Sequence, residues 1–444
     1  HQLCAAVAAK VHTMRRGLAS ALAVAAVLLL ATAVECSRDH GGKDGRRVVE
    51  QPLVRKLNKP LQDLRSAEKT ADYSYNAPLL GDEQKIGEYY MEMNFGSPPQ
   101  HFTVQVDTGS ADIAVPAVGC GAGCGRHPDP FYNPNKSNTS AVVECTSTGM
   151  NGEGLYCPRC TSQECNYRLQ YLDGSHFTAT VYEDTVTMGG MQATQVFGAI
   201  TSESTSYGQF EPYPIDGIAG FAYSKVSEVF APNIMDTLSG AGYIDDIFSM
   251  CITDDGGMMT LGGIGNYYTG EIQYTPITKE AFYAVEMVDL TIWNQTVGVD
   301  PSVYNEGQCI VDSGTTLMYL PVPAWTALVS LFQSNCAEHN LKGVCHGGNV
   351  FQGACVSLTQ EELEAYPTID VHLAPGIVLP VAPEYYLPTG YCWDPDDRSL
   401  GIGPESEAYG TLLGDVFMKN FLCVFDRANA QMGFAPVHNC PTQG

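Results

Sequence analysis

Basic side chains are scarce in this 444-residue chain: 23 Lys+Arg stand against 49 Asp+Glu, a formal net charge of −26. Twelve of the basic and six of the acidic residues lie before Asp72, which leaves 11 against 43 over residues 72–444, a net of about −32 there. A body that acidic repels phosphate backbones, which excludes nucleic acid as a partner. The ten histidines are scattered, with no metal-binding helix motif, and no serine sits in a nucleophile elbow, so metallohydrolase and serine-hydrolase chemistry have no support. After residue 33 no apolar run is long enough to cross a bilayer, and the remainder is expected to be soluble. Position 1 is not Met, and the residues before Met14 read as a translated upstream extension.

From Met14 the chain reads as a signal peptide over residues 14–33: Arg15-Arg16, an apolar stretch from Leu18 to Leu30, then Ala31-Thr32-Ala33 as a small-residue cleavage site. A signal anchor is the alternative, because the apolar stretch is nearly of membrane-spanning length. A basic leader follows over residues 34–76. The length allows two domains, and 44% hydrophobic residues with plentiful Gly and Pro suit a β-rich globular protein. Sixteen cysteines, fourteen of them from Cys120 onward, point to an oxidising compartment. Cys157-x-x-Cys160 has zinc-like spacing, but no histidine cluster accompanies it and disulfides are the better reading. Asn135, Asn138 and Asn294 each open an N-x-S/T sequon and would carry glycans on surface loops of a secreted chain.

The informative pattern is a repeat. Val106-Asp107-Thr108-Gly109-Ser110 returns 205 positions later as Val311-Asp312-Ser313-Gly314-Thr315. Phe102, Val104 and Val106 alternate with polar residues as in a half-buried strand, and Cys309-Ile310-Val311 is an apolar run ending at the second aspartate. The glycine after each Asp-Thr or Asp-Ser permits a tight turn with a backbone N–H toward the carboxylate. One Asp-Thr-Gly alone reads equally well as a structural turn. Two copies, each closing an apolar run and each followed by a hydroxyl residue and a second apolar run (Ile113-Ala114-Val115-Pro116; Leu317-Met318-Tyr319-Leu320-Pro321), point to a pair of carboxyls brought together. Two carboxyls about 3 Å apart cannot both ionise, so one stays protonated while the other acts as base.

With these residues the chain resembles the pepsin-like aspartic proteases. The likeness runs from about Ala77 to Cys440, through Asp107-Thr108-Gly109-Ser110, Ile215-Asp216-Gly217-Ile218-Ala219-Gly220, Asp312-Ser313-Gly314-Thr315 and Leu412-Leu413-Gly414-Asp415-Val416-Phe417. The resemblance implies a mostly β, bilobal fold with the active-site cleft between two related lobes, residues 77–265 and 266–444. It implies catalysis by Asp107 and Asp312, with Thr108 and Ser313 bracing the loops, Gly109 and Gly314 beside the carboxyls, and Ser110 and Thr315 bonded to the outer carboxylate oxygens. It also implies disulfides Cys120–Cys124 and Cys251–Cys440, polypeptide substrates, no cofactor or metal, a monomer, and an extracellular or acidic endolysosomal or vacuolar location. Pro52-Leu53-Val54-Arg55-Lys56 resembles the start of a pepsinogen-type prosegment and Ala77-Pro78-Leu79-Leu80 a mature amino terminus. A zymogen is therefore expected, with Lys69 as the lysine set between the aspartates. A catalytically inactive, binding-only relative is the alternative.

Two regions depart from pepsin. Between Cys120 and Cys165 lie six cysteines and few periodic apolar residues, a cysteine-rich insertion similar to the nepenthesin and plasmepsin V branch. Beyond it, strand-like runs flank Tyr171-Leu172-Asp173-Gly174-Ser175, and the Asp-Gly pair predicts a β-hairpin. By resemblance this is the flap, with Tyr171, Asp173, Gly174 and Ser175 facing substrate. Asp173 reads either as a turn residue or as an acid that pairs with a basic substrate side chain. Where pepsins carry a tryptophan that hydrogen-bonds the flap tyrosine, this chain has Ala114. Farther on, the spacing predicts a short helix over 324–332, containing Trp325, and two closing strands at Phe421–Asp426 and Gln431–Ala435.

Overall fold

The computed structural model describes residues 74–82, 88–120, 124–125, 127–146, 154–171, 174–204, 215–405 and 410–441. The signal peptide, nearly all of the leader with Lys69, and the hairpin residues Leu172 and Asp173 lie outside the described residues. Within them the first half is a succession of strands: β1 (Tyr75–Asp82), β2 (Glu88–Phe95), β3 (Gln100–Asp107), β4 (Ile113–Pro116), β5 (Ala141–Val142), β6 (Arg159–Thr161), β7 (Glu164–Gln170), β8 (His176–Met188), β9 (Met191–Glu203) and β10 (Gly217–Gly220). The alternation expected at Phe102, Val104 and Val106 holds only in part. Gln105 is buried too: β3 is a central strand between antiparallel β2 and parallel β10, and its last four residues, Val104 to Asp107, are all buried.

The second half continues through β11 (Ile247–Thr253), β12 (Gly256–Leu261), β13 (Gln273–Pro276), β14 (Lys279–Glu280), β15 (Tyr283–Val285), β16 (Met287–Ile292), β17 (Gln295–Thr296), β18 (Cys309–Val311), β19 (Met318–Pro321), β20 (Ile369–Leu373), β21 (Ile377–Val381), β22 (Ile402–Glu405), β23 (Thr411–Leu413), β24 (Phe421–Asp426) and β25 (Gln431–Pro436). The same local topology occurs twice. In the first half β3 runs into Asp107 beside parallel β10, and β4 pairs antiparallel with that same β10. In the second, β18 runs into Asp312 beside parallel β23, and β19 pairs antiparallel with β23. Two β-rich lobes thus present one aspartate each from equivalent strand ends. A repeated sequence phrase is read out as a repeated fold.

Strand β1 pairs with β12 through Tyr75↔Leu261 to Leu79↔Gly257, then with β2 from Leu80↔Tyr90 to Asp82↔Glu88. The expected leader boundary after Asn76 therefore falls inside a paired strand. The expected helix spans Val322–Asn335 with Ala324, Leu328 and Phe332 buried at helical spacing and Pro323 in its first turn. Trp325 packs partly buried against the core and 5.7 Å from Phe351, ring centre to ring centre. The closing strands are β24 and β25, paired from Phe421↔Pro436 to Asp426↔Gln431.

The expected pairs Cys120–Cys124 and Cys251–Cys440 are bonded, as are Cys145–Cys160, Cys157–Cys165, Cys336–Cys345 and Cys355–Cys392. Cys157 and Cys160 thus belong to two different disulfides. The insertion is not as poor in core as its sequence suggested: five of its six cysteines are buried with Leu155, Val143, Ala114 and residues of β7 to β9 in a second apolar cluster, while Cys160 stays exposed. Asn135, Asn138 and Asn294 are all exposed. No helix among the described residues is long and apolar enough to cross a membrane.

Candidate active site

Asp107 and Asp312 arrive at one place because two parallel strand pairs end there. Asp107 is the last residue of β3, level with Gly220 of β10, and Phe221 N–H donates to its carbonyl at 2.7 Å. Asp312 follows β18, and its N–H donates to Leu413 O at 3.1 Å. Each carboxylate is then held by its own loop. Gly109 N–H donates to Asp107 Oδ1 at 2.7 Å and Ser110 Oγ to Oδ2 at 2.5 Å. Gly314 N–H donates to Asp312 Oδ1 at 2.9 Å and Thr315 Oγ1 to Oδ2 at 2.6 Å.

The two loops are also joined to each other. Thr108 N–H donates to Ser313 Oγ at 3.2 Å, and Ser313 N–H donates to Thr108 Oγ1 at 2.9 Å. Each hydroxyl in turn donates a hydrogen bond to a carbonyl of the opposite strand, Thr108 to Val311 O at 3.1 Å and Ser313 to Val106 O at 2.7 Å. A β-carbon on Gly109 would lie 2.7 Å from both oxygens of Asp312, and one on Gly314 would overlap Asp107 Oδ1. Both glycines are therefore required by the close approach of the opposite carboxyl.

Electrostatics follow from this crowding. Burial, then repulsion from Asp312, push the Asp107 carboxyl up to about 8, against the lowering effect of the Ser110 and Gly109 hydrogen bonds. The pair therefore keeps a proton well above the ordinary carboxylate range. Asp415 stands behind it, fully buried, with its carboxyl pushed well up by burial and by the Asp312 charge. Neither of its oxygens has a hydrogen-bond partner among the described residues, as suits a neutral acid.

Of the expected lid residues, Tyr171 and Ser175 close the turn between β7 and β8: Tyr171 N–H donates to Ser175 O at 2.9 Å and Gly174 N–H to Tyr171 O at 3.1 Å. Gly174 has φ +85°, a left-handed conformation that suits glycine. Asp173 lies outside the described residues.

Several groups escaped the sequence reading. Asp216 and Asp415 sit in quoted motifs but received no role. Asp216 accepts Thr103 N–H and Thr103 Oγ1 at 3.0 Å each and Asp129 N–H at 3.1 Å, tying β10 to β3. Beside it the His127 side chain is buried, with Nε2 3.4 Å from Glu203 Oε2 and Nδ1 3.9 Å from Asp216 Oδ1. Burial raises Asp216 to about 6 despite its hydrogen bonds, and the Glu203 and Asp216 carboxylates raise His127 although burial alone would lower it. No local pattern marks these partners, which lie far apart in the chain.

Comparison with known proteins agrees with the geometry. The family model described as eukaryotic aspartyl protease matches residues 88–437. The chain is 30% identical to Pepsin A of Sus scrofa over 418 residues, 88% of this chain and 96% of the pepsin. It is 31% identical to Pepsin II-1 of Oryctolagus cuniculus over 363 residues, 78% and 80% of the two chains. These matches support the family without supporting the nepenthesin-like branch expected from the insertion. A pepsin-like fold of two β-rich lobes, a duplicated Asp-Thr/Ser-Gly loop and a family match over most of the chain carry one conclusion: the chain belongs to the eukaryotic aspartyl protease family and is an aspartic endopeptidase.

Proposed function

We propose that Asp107 and Asp312 hydrolyse a peptide bond by sharing one proton and one water. The ionised carboxylate takes a proton from the water as its oxygen attacks the peptide carbonyl carbon. The protonated partner gives its proton to the carbonyl oxygen. The resulting gem-diol collapses as a proton passes to the departing amine, and the dyad returns to its singly protonated state without a covalent intermediate. The observation that carries this reading is the mutual approach of the two loops, each glycine leaving room for the opposite carboxyl. Ser110 and Thr315 fix the outer oxygens, so the inner ones remain for water and substrate. The hairpin of β7 and β8, with Tyr171, Gly174 and Ser175 at its turn, acts as the lid that excludes water. Cleavage of a denatured protein at acid pH, blocked by pepstatin and lost in Asp107→Asn and Asp312→Asn, tests the assignment; activity in either variant overturns it.

The chain is made as a zymogen on this reading. The leader's Arg46, Arg47, Arg55, Lys56, Lys59, Arg65 and Lys69 oppose the net charge of about −32 that follows it, and together they hold the leader across the cleft near neutral pH. Basic partners lower carboxylate pKa values, so closure is stable above those values and is lost as pH falls through them. Holding residues 34–444 at neutral and then acidic pH and sequencing any new amino terminus tests this. Equal activity at both pH values with no processing would make the leader a passive linker.

A further inference from the structure

Strands β4, β8 and β9 leave a hollow on one face of the first lobe. Ala114 of β4 pairs with Gly198 of β9, and a β-carbon on Gly198 would come within 2.9 Å of the Ala179 β-carbon of β8. Three very small residues therefore adjoin where sheets ordinarily carry bulky ones. The space is taken by Tyr167 of β7, 2% exposed, whose hydroxyl oxygen lies so close over Gly198 that any β-carbon there would overlap it. That hydroxyl has no hydrogen-bond partner among the described residues, so its ring, rather than a polar contact, accounts for the fit.

The ring continues toward the turn. Tyr167 meets Phe177 edge-on, centroids 5.7 Å apart at 76°, and Phe177 meets Tyr171 at 6.2 Å. Two residues before Tyr167, Cys165 is bonded to Cys157 of the insertion, and both are buried in the same apolar cluster. The base of the hairpin is thereby held by a disulfide and its middle by a buried ring, and at its turn Tyr171 N–H donates to Ser175 O and Gly174 N–H to Tyr171 O. An element anchored at one end and held by packing along its length has its tip position set by that packing.

We propose that Tyr167 is the positioning residue of the lid: by filling the Ala114–Ala179–Gly198 hollow it carries, through Phe177, the placement of Tyr171 over the bound polypeptide. The inference rests on reading the β7–β8 hairpin as the lid of the catalytic cleft. It makes the cysteine-rich insertion part of the substrate-holding apparatus, since the insertion supplies the covalent anchor of the same strand.

The test combines peptide-cleavage kinetics with amide hydrogen exchange. Tyr167→Phe keeps the ring and should stay within about threefold of wild type in kcat/KM, because the lost hydroxyl made no bond. Tyr167→Ala should lower kcat/KM about tenfold to a hundredfold, chiefly through KM. It should also speed exchange at the Tyr171 and Gly174 amides without changing the Phe221 amide beside Asp107. Refilling the hollow from the other strand, in Tyr167→Ala with Ala114→Phe, should restore part of the KM. Tyr167→Leu, which keeps apolar bulk but not reach, serves if the alanine variant does not fold, and should fall between the two. KM and tip exchange unchanged in Tyr167→Ala or Tyr167→Leu would overturn the inference, as would a loss confined to kcat and thermal stability. An inactive wild type would remove the reading of the site itself, and the exchange measurement would still decide whether Tyr167 holds the turn.

Discussion

Thr108 and Ser313, 205 residues apart, exchange hydrogen bonds in both directions, each accepting the other's backbone N–H on its side-chain oxygen. Each side chain is buried, and each also donates across to the opposite strand. The separation of the two aspartates is therefore fixed by groups next to them, not by the aspartates' own contact. Thr108→Ala or Ser313→Ala should strand a buried N–H and cost roughly 1–3 kcal/mol of stability. Activity should fall further than stability alone explains, read as kcat/KM on a peptide at a temperature where the variant is fully folded.

Gly314→Ala should fold yet be nearly inactive, by about a thousandfold or more, since the added methyl overlaps Asp107 Oδ1. Circular dichroism and a peptide assay together check this. An active, folded alanine variant would mean that the two carboxyls do not need their present approach.

Activity should decline as pH rises through about 8. Burial and then Asp312 raise Asp107 to that value, and the dyad needs its one proton to polarise the carbonyl. A pH profile of kcat/KM on a stable, uncharged peptide, restricted to pH values at which the protein remains folded, measures the limb. Full activity retained at pH 9 would contradict it.

Stability should weaken earlier, through a different cluster. Asp216 binds a proton more tightly folded, at about 6, than its ordinary 3.8, so folding loses stability as pH rises between those values. His127 is also raised above 6.5, so what it contributes is present below 6.5 and lost as pH climbs through its folded value. Both effects have one sign. Thermal midpoints should fall from pH 4 to neutrality. Asp216→Asn should flatten the lower part of that fall, while His127→Gln should lower the midpoint at pH 5 and flatten the upper part. A midpoint independent of pH in wild type would rule the cluster out as a source.

Cys309 and Cys423 are free and buried, and burial raises both thiols far above the ordinary range. Among the described residues they alone should stay unmodified by iodoacetamide in the native protein and label on unfolding in denaturant. Peptide mass mapping reads this directly, and label at either site before unfolding would refute it.

How much of this was legible in the sequence depended on distance along the chain. The aspartates were readable because each motif carries its own turn glycine, hydroxyl donor and leading strand within a few residues. The β7–β8 hairpin and the helix at Val322–Asn335 were readable for the same reason: local chemistry sets them. Ala114 was visible as a departure, but what compensates it was not, since Tyr167 becomes its neighbour only after β4, β7, β8 and β9 are laid side by side. His127, Glu203 and Asp216 are likewise ordinary residues in sequence and acquire meaning only through burial. The core of the insertion does not show in its sequence, because most of its cysteines are crosslinks and apolar core at once.

Strand β1 has a bearing on the timing of the proposed maturation. A protease binds its target as an extended, unpaired segment, yet Tyr75 and Asn76 are zipped to Leu261 and Thr260, and the Tyr75 ring is pressed against Gly189. On the zymogen reading proposed above, a cut at Asn76 would have to wait for this end of the seam to fray, and the equilibrium for that opening would multiply the cleavage rate. On that reading, side chains that tighten the Tyr75–Gly189 contact would slow activation without touching the catalytic groups, so the pace of maturation would be written in the pairing of β1 with β12.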